Sequence, residues 1–326
     1  MTVWLAAPPS RHPHIRPFEP QHDMARLADL IEVAFGRELA LTESRMARDM
    51  RQVAQWGMVL GAAQSVLPLF KGYVWVEDGE LVGNVSLSRD KQPNTWLISN
   101  VAVLPEYRGR GIAGQLVDVA IEHIRRHGGR LITLQVRADN DVAIALYRHR
   151  GFVRFDTAHE MRLSSAHWPL LLGSPPKALR PVRGRDQAAL LRLVRASTPD
   201  SVLRRNPVKA GDFRRGLWWD LRQQIGLILG KTILERVVDG HWGLAAYGAL
   251  HVQLLRGYSE LFLHVLPEER GRWEMALVDG LFYLISHLPR QSVRTYISTS
   301  HPEAVEALER YGFQTLRVLD YMSLDL

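Results

Sequence analysis

An α+β fold in two tandem copies, each a mixed, mostly antiparallel sheet flanked by helices, is predicted by three observations. The chain contains a repeat as long as a domain, paired strand runs broken by turn signals, and a glycine-rich turn that feeds an amphipathic helix. At 326 residues it exceeds the usual ~100 to 200 residues of one domain, so two copies fit its length.

The elements of the first copy follow in order. Ile15-Arg16-Pro17-Phe18 reads as a short strand ahead of a helix whose apolar face carries Leu27, Leu30, Ile31 and Ala34. Asp78-Gly79 is a hairpin signal between Tyr73-Val74-Trp75-Val76 and Leu81-Val82-Gly83-Asn84-Val85. The residues from Trp96 to Val103 form the next strand. After Leu104-Pro105-Glu106-Tyr107 comes the turn Arg108-Gly109-Arg110-Gly111-Ile112-Ala113-Gly114, and then Leu116, Val117, Ala120, Ile121 and Ile124 mark one face of a helix. A strand with Leu134-Gln135-Val136-Arg137, a helix opening at Asp141, and two strands after Gly151-Phe152 complete the copy.

The same order recurs. Leu179-Arg180-Pro181-Val182 repeats the first strand and precedes a helix with Leu190, Leu191, Leu193 and Val194. Asp239-Gly240 repeats Asp78-Gly79, Val265-Leu266-Pro267-Glu268 repeats Val103-Leu104-Pro105-Glu106, and Tyr311-Gly312-Phe313 repeats Arg150-Gly151-Phe152, at offsets of 161, 162 and 161 residues. Offsets that keep step across a whole domain are those of a duplicated fold. The expected division is 1–172, a linker at 173–178 containing Gly173-Ser174-Pro175-Pro176, and 179–326.

Composition narrows the chemistry. There is no cysteine, which excludes disulfides, thiolate metal sites and a cysteine nucleophile. His12-Pro13-His14 lacks companion ligands and reads as a polar tail, so no metal is expected. The net charge of +7 suits an anionic partner. The basic residues are scattered, however, and nearly all are arginine, so no nucleic-acid partner is expected. No apolar run approaches the ~20 residues of a membrane span and the first residues lack a signal-peptide core, so no membrane partner and a cytoplasmic location are expected.

The glycine-rich turn points to an anion. The first N–H groups of a helix have no intrahelical acceptor, and the helix dipole adds roughly half a positive charge there. Glycine at 111 or 114 leaves room for phosphate oxygens beside the backbone. Gly109-x-Gly111-x-x-Gly114 also satisfies the dinucleotide fingerprint. Against that reading, Leu104 to Arg108 separate the strand from the glycines, and the turn lies deep in its domain instead of ending the first strand.

With these surroundings the segment resembles the GCN5-related N-acetyltransferase superfamily, whose Arg/Gln-x-x-Gly-x-Gly/Ala signature is matched by Arg108, Gly111 and Ala113. Val101-Ala102-Val103, Pro105, Asn140, Ala143, Ala145, Leu146-Tyr147 and Gly151-Phe152 extend the likeness over the first half. The resemblance implies that Arg108, Gly109, Arg110, Gly111, Ile112, Ala113 and Gly114 bind the pyrophosphate of acetyl-CoA. It also implies that Val101, Ala102 and Val103 pair with the pantetheine arm. Pantetheine carries two amides and can add to a sheet as a strand would, leaving an N–H near Val101 to polarise the thioester carbonyl. Asn140 and Tyr147 lie two helical turns apart, so both can face the cosubstrate. The family's tyrosine at Tyr147 protonates the departing thiolate. A core aromatic and a helix cap are the competing readings of Tyr147 and Asn140.

The implied reaction is direct attack of a primary amine, of a small molecule or a peptide, on the acetyl or related acyl thioester within a ternary complex. The general base is unassigned. Where acetyltransferases of ribosomal-protein N-termini carry glutamate, this chain has Gln135, and Asn100 can at best orient water. Asp156, His159 and Glu160 are the remaining candidates.

In the second copy Trp273 replaces Gly111, Met275 replaces Ala113, His301 replaces Asn140 and Leu308 replaces Tyr147, while Arg270 and Gly271 persist. This half is therefore expected to keep the fold without productive cosubstrate binding, and to shape the acceptor site, brace the first half or support association such as a homodimer. The alternative reading of the whole chain is a CoA-binding regulatory module without turnover.

Overall fold

The computed structural model describes residues 12–41, 71–168, 176–213, 226, 230–241, 243–254 and 258–326, without the side chains of 37–41. Most of the linker motif, Gly173-Ser174-Pro175, lies outside them. The chain divides into two compact units, one of residues 1–136, 140–153 and 322–326 and one of residues 137–139 and 154–321.

In the first unit, β1 (Ile15–Pro17), α1 (Pro20–Leu41), β2 (Lys71–Glu77), β3 (Glu80–Arg89), β4 (Thr95–Val103), α2 (Ile112–Arg126), β5 (Leu131–Arg137) and α3 (Asp141–Arg148) follow one another. The strands lie in the order β1-β2-β3-β4-β5, antiparallel except for the parallel β4–β5 pair. Asp78 and Gly79, at φ 52° and 81°, make the two-residue turn that their sequence predicts between β2 and β3. Helices cover both faces. Leu27, Leu30 and Ile31 of α1 pack on Val74, Leu81 and Ala102, while Leu116, Val117, Ala120 and Ile124 of α2 pack among Trp96, Ile98, Ile132 and Leu134. Truncating one such leucine to alanine costs about 2–5 kcal/mol. His12 and His14 are not a tail: their rings flank Trp75, with centroids 4.7 and 5.3 Å away.

The second unit contains β6 (Val153–Leu163), β7 (Leu179–Arg180), α4 (Gln187–Ser197), α5 (Asp200–Arg205), β8 (Lys231–Gly240), β9 (Gly243–Gln253), β10 (Ser259–Val265), α6 (Glu274–Leu284), β11 (Val293–Ser298), α7 (Pro302–Arg310) and β12 (Gln314–Asp325). Its strands lie in the order β12-β6-β11-β10-β9-β8-β7. Leu190, Leu193 and Val194 of α4 cover one face and Leu277, Leu281, Phe282 and Leu308 cover the other. The hairpin turn falls two residues beyond Asp239-Gly240, since Gly240 pairs with Gly243.

Two differences from expectation concern the ends of the copies. The two strands expected after Phe152 are one eleven-residue strand, β6, because no glycine or proline between Val153 and Leu163 interrupts it. From Arg154 onward β6 counts with the second unit, where residues 158–163 pair with residues 293–298 of β11. Residues 322–326 count with the first unit, where Met322 joins the core and the Leu326 N–H donates to the Arg130 carbonyl at 2.9 Å.

A buried ion pair recurs in both units. Arg16 clamps Asp23 with bonds of 2.6 and 2.7 Å, and Asp23 accepts the Glu19 N–H at 2.8 Å. Arg180 clamps Asp186 at 2.7 and 3.1 Å, and Asp186 accepts the Arg183 N–H at 2.7 Å. The arginine of each Arg-Pro motif thus ties its strand to the start of the following helix.

Candidate active site

The site is built on an irregularity in β4. Asn84 pairs with Ala102 and Ser86 with Ser99, so Asn100 and Val101 together face one residue of β3. Asn100 takes the left-handed conformation, φ 49°, which asparagine tolerates better than most residues. Asn84, only 1% exposed, holds this bulge: its Nδ2 donates to the Asn100 carbonyl at 2.9 Å and to Ser86 Oγ at 3.1 Å. Asn100 Nδ2 donates to the same hydroxyl at 3.3 Å. A bulge of this kind re-aims neighbouring backbone groups.

Beside the bulge, β4 and β5 part. Their pairing runs from Thr95↔Leu131 to Leu97↔Thr133 and stops. Val101, Ala102 and Val103 lie beyond that point, with Ala102 and Val103 paired to β3 on their other side. The Val103 carbonyl accepts Arg108 Nε at 3.1 Å, which folds the signature arginine back onto β4.

Helix α2 begins where β4 and its turn end. Gly111 is its N-cap at φ 77°, and no side chain caps it. A Cβ at Gly111 would find only Gln115 Nε2, at 3.9 Å, and one at Gly109, also left-handed at φ 79°, would meet nothing within 4 Å. The first-turn N–H groups of Ile112, Ala113 and Gly114 therefore head an open, uncapped cradle that fits a phosphate. Arg110 stacks on Tyr107 and pairs with Glu77 at 3.2 Å.

Gly114 serves a different contact. A Cβ there would lie 2.5 Å from Arg150 Nη2. Arg150 clamps Asp118 at 2.7 and 3.0 Å and donates to the Leu146 carbonyl at 3.0 Å, tying the end of α3 to α2. Sequence reasoning passed over Asn84, Arg150 and Asp118, since polar residues at single positions carry no periodic signal. Gly114→Ala is expected to push the guanidinium aside at a cost of about 1 kcal/mol, because the crowded atom ends a flexible side chain. Thermal denaturation checks this, and a loss above about 3 kcal/mol would mean that the backbone, not Arg150, is what the glycine accommodates.

Asn140 caps α3, accepting the Ala143 N–H at 3.1 Å. Tyr147, 6% exposed, packs edge-on to Phe152 within the core, and burial pushes its phenol up to about 12. Both competing readings are thus realised in the geometry, and neither prevents the residue from meeting a ligand as well.

The candidate bases lie on β6 in the second unit. Glu160, 1% exposed, accepts Arg317 Nε at 2.6 Å and the Tyr296 hydroxyl at 3.1 Å, the environment of a structural carboxylate. His159 Nδ1 lies 3.5 Å from Thr315 Oγ1. Asp156 accepts the Ser298 hydroxyl at 2.7 Å, and burial, outweighing that bond, pushes its carboxyl above the usual range.

The corresponding positions of the second unit are closed. Register between β9 and β10 is regular from Glu260↔His251 to Val265↔Ala246, without a bulge. At α6 the cradle is filled by the chain itself: Glu274 accepts the N–H groups of Gly271 and Trp273, each at 3.1 Å, and lies 2.8 Å from His301 Nε2. Arg270 turns away to the Ser300 carbonyl at 2.6 Å.

The description of the acetyltransferase (GNAT) family matches residues 35–152. A segment of 80 residues is 36% identical to mycothiol acetyltransferase of Corynebacterium glutamicum, covering 24% of this chain and 27% of that protein. The chain thus spans about a quarter of the length of that relative. A GCN5-related N-acetyltransferase from Sphaerobacter thermophilus shares the fold across 95% of both chains, with a TM-score of 0.65 and 18% identity. A tandem GNAT protein from the clavulanic acid biosynthesis pathway does so across 95% of this chain and 98% of its own, with a TM-score of 0.55 and 16% identity.

Proposed function

We propose, from the match of residues 35–152 to the acetyltransferase (GNAT) family, that the chain transfers an acetyl or related acyl group from acetyl-CoA to a primary amine by direct attack in a ternary complex. The observation that carries this reading is the bulge at Asn100, set where β4 leaves β5 and beside the uncapped start of α2. In this reading 1–172 is the catalytic copy and 179–326 the degenerate one.

Acetyl-CoA supplies an activated thioester. The N–H groups at the start of α2 hold its pyrophosphate, and the β5-facing backbone of residues 101–103 hydrogen-bonds its amides. An N–H re-aimed by the bulge stabilises charge on the carbonyl oxygen as the amine adds. Tyr147 then delivers its proton to the departing sulfur as the carbon–sulfur bond breaks, and the proton shed by the attacking nitrogen returns through water to the phenolate. A phenol held at about 12 remains protonated through the neutral range, as a general acid must. Gln135 in place of glutamate speaks against a peptide N-terminus and leaves a small-molecule amine as the acceptor class of this reading.

The test is thiol release from acetyl-CoA over a panel of amines. Tyr147→Phe is expected to lower kcat about 10²-fold with little change in KM for acetyl-CoA. An unchanged kcat removes Tyr147 from the mechanism. Tight cosubstrate binding without release from any amine would favour a regulatory module.

A further inference from the structure

Helix α3 has eight residues, and a helix that short depends on what it packs against to keep its place. Tyr147 stands in its last turn. The Tyr147 carbonyl accepts the N–H groups of Arg150 and Phe152, at 3.0 and 3.1 Å, so the backbone carries Tyr147 and Arg150 as one piece. The Arg150 guanidinium then spans two helices. It seats against Gly114, holds both oxygens of Asp118 on α2 at 2.7 and 3.0 Å, and donates at 3.0 Å to the carbonyl of Leu146, the residue before the tyrosine.

A two-pronged clamp of this kind fixes direction as well as distance, which an apolar contact does not. The second unit shows the apolar alternative. At the repeat's offsets of 161 and 162 residues, Ala276, Gly280 and Tyr311 stand where Gly114, Asp118 and Arg150 stand. Gly280 offers no carboxylate, and Tyr311, 7% exposed, packs on Phe282 of α6 with ring centroids 5.3 Å apart. That packing joins α6 to the end of α7 in the cluster that includes Leu308, the counterpart of Tyr147, which has no proton to give. The three parts of the clamp are thus present together in the unit that has the tyrosine and absent together from the unit that lacks it. Packing the two helices together does not require them.

We propose that Arg150 is a positioning residue for acyl transfer: by locking the end of α3 to α2 it holds the Tyr147 phenol in place relative to the helix start that receives the cosubstrate. This inference rests on the acyl-transfer reading above. A proton donor displaced by about 1 Å loses much of its effect, so the clamp matters to turnover more than to binding. The guanidinium charge acts in the same direction, since it works against burial on the Tyr147 phenol and eases release of the proton.

Thiol release is measured for Arg150→Met, Tyr147→Phe and the double substitution, with acetyl-CoA titrated at saturating amine. Arg150→Met is expected to lower kcat about tenfold while KM for acetyl-CoA moves less than about twofold. In the Tyr147→Phe background the same change should lower kcat less than about twofold, because the group it positions is gone. A brace that only stabilises the fold would cost the same fraction in both backgrounds. Arg150→Lys keeps a charge for Asp118 and should recover part of the loss. Should Arg150→Met not fold, Asp118→Asn, whose side chain is 57% exposed, weakens the clamp from its other end and should lower kcat about fivefold, again only where Tyr147 is present. The proposal is overturned by a folded Arg150→Met or Asp118→Asn protein of unaltered kcat, by a loss confined to KM, or by an equal loss in the Tyr147→Phe background. Full turnover by Tyr147→Phe overturns it too, since nothing is then left to position. Absence of thiol release from the unaltered chain is a separate result, which removes the acyl-transfer reading and the positioning role with it.

Discussion

Gly111→Trp is expected to reduce acetyl-CoA affinity at least ~100-fold in a chain that still folds. The substitution copies the second unit's own residue, Trp273, into the first. A Cβ at Gly111 meets nothing closer than 3.9 Å, so the packing tolerates it. The cost to the fold is the left-handed backbone at φ 77°, about 1–2 kcal/mol for a residue with a side chain. The indole, however, covers the first-turn N–H groups that an anion must reach. Gly111→Ala separates the two effects, since it carries the backbone strain with almost none of the bulk, and should lose less than about tenfold. Calorimetric titration with acetyl-CoA measures both, and wild-type affinity in a folded Gly111→Trp protein would sink the cosubstrate assignment.

How far the sequence reaches depends on the kind of signal each feature leaves. The duplicated α+β order, the Asp78-Gly79 turn and the α2 face were legible because periodicity and turn chemistry act locally. Residence of β6 in the second unit was not. Alternation fixes which face of a strand is buried and leaves its neighbour open, so Met161 and Leu163 read the same beside β11 as they would beside β5. The bulge in β4 left only Asn100 as a trace, because one extra residue in a strand shifts no composition. The Arg16–Asp23 and Arg180–Asp186 clamps were hidden because each joins a strand to the start of the next helix, so the spacing is set by the loop between them and belongs to no single element's period. At the α6 cradle the repeat flagged Trp273 and His301 as losses. It passed over Glu274, which stands where Ile112 stands in the first copy, although an acidic residue in a helix's first turn is itself a signal.

That carboxylate yields the second large prediction: Glu274→Ala should destabilise the second unit by about 3–5 kcal/mol. Glu274 is 1% exposed and accepts two backbone N–H groups at 3.1 Å, with His301 Nε2 at 2.8 Å. Alanine strands all three donors in a buried place, which is the costly case, whereas glutamine keeps an acceptor and should cost less. Burial pushes the Glu274 carboxyl upward, but the bonds from His301 and the backbone outweigh it and hold the carboxyl below its ordinary 4.5. Its stabilisation is therefore complete above pH 4.5 and is lost as pH falls through the depressed folded value, and the alanine variant should lack this acid-sensitive increment. Denaturant unfolding at pH 7 and in the acid range measures both quantities. Because the donors remain when the carboxylate goes, formate should recover part of the lost Tm in Glu274→Ala and none in the unaltered chain. A variant as stable as the parent, or one indifferent to formate, would show that the N–H groups of Gly271 and Trp273, at the entry to α6, do not need an anion. The recovery would instead mean that the entry to α6 demands an anion, and that in this unit a side chain of the protein's own meets the demand.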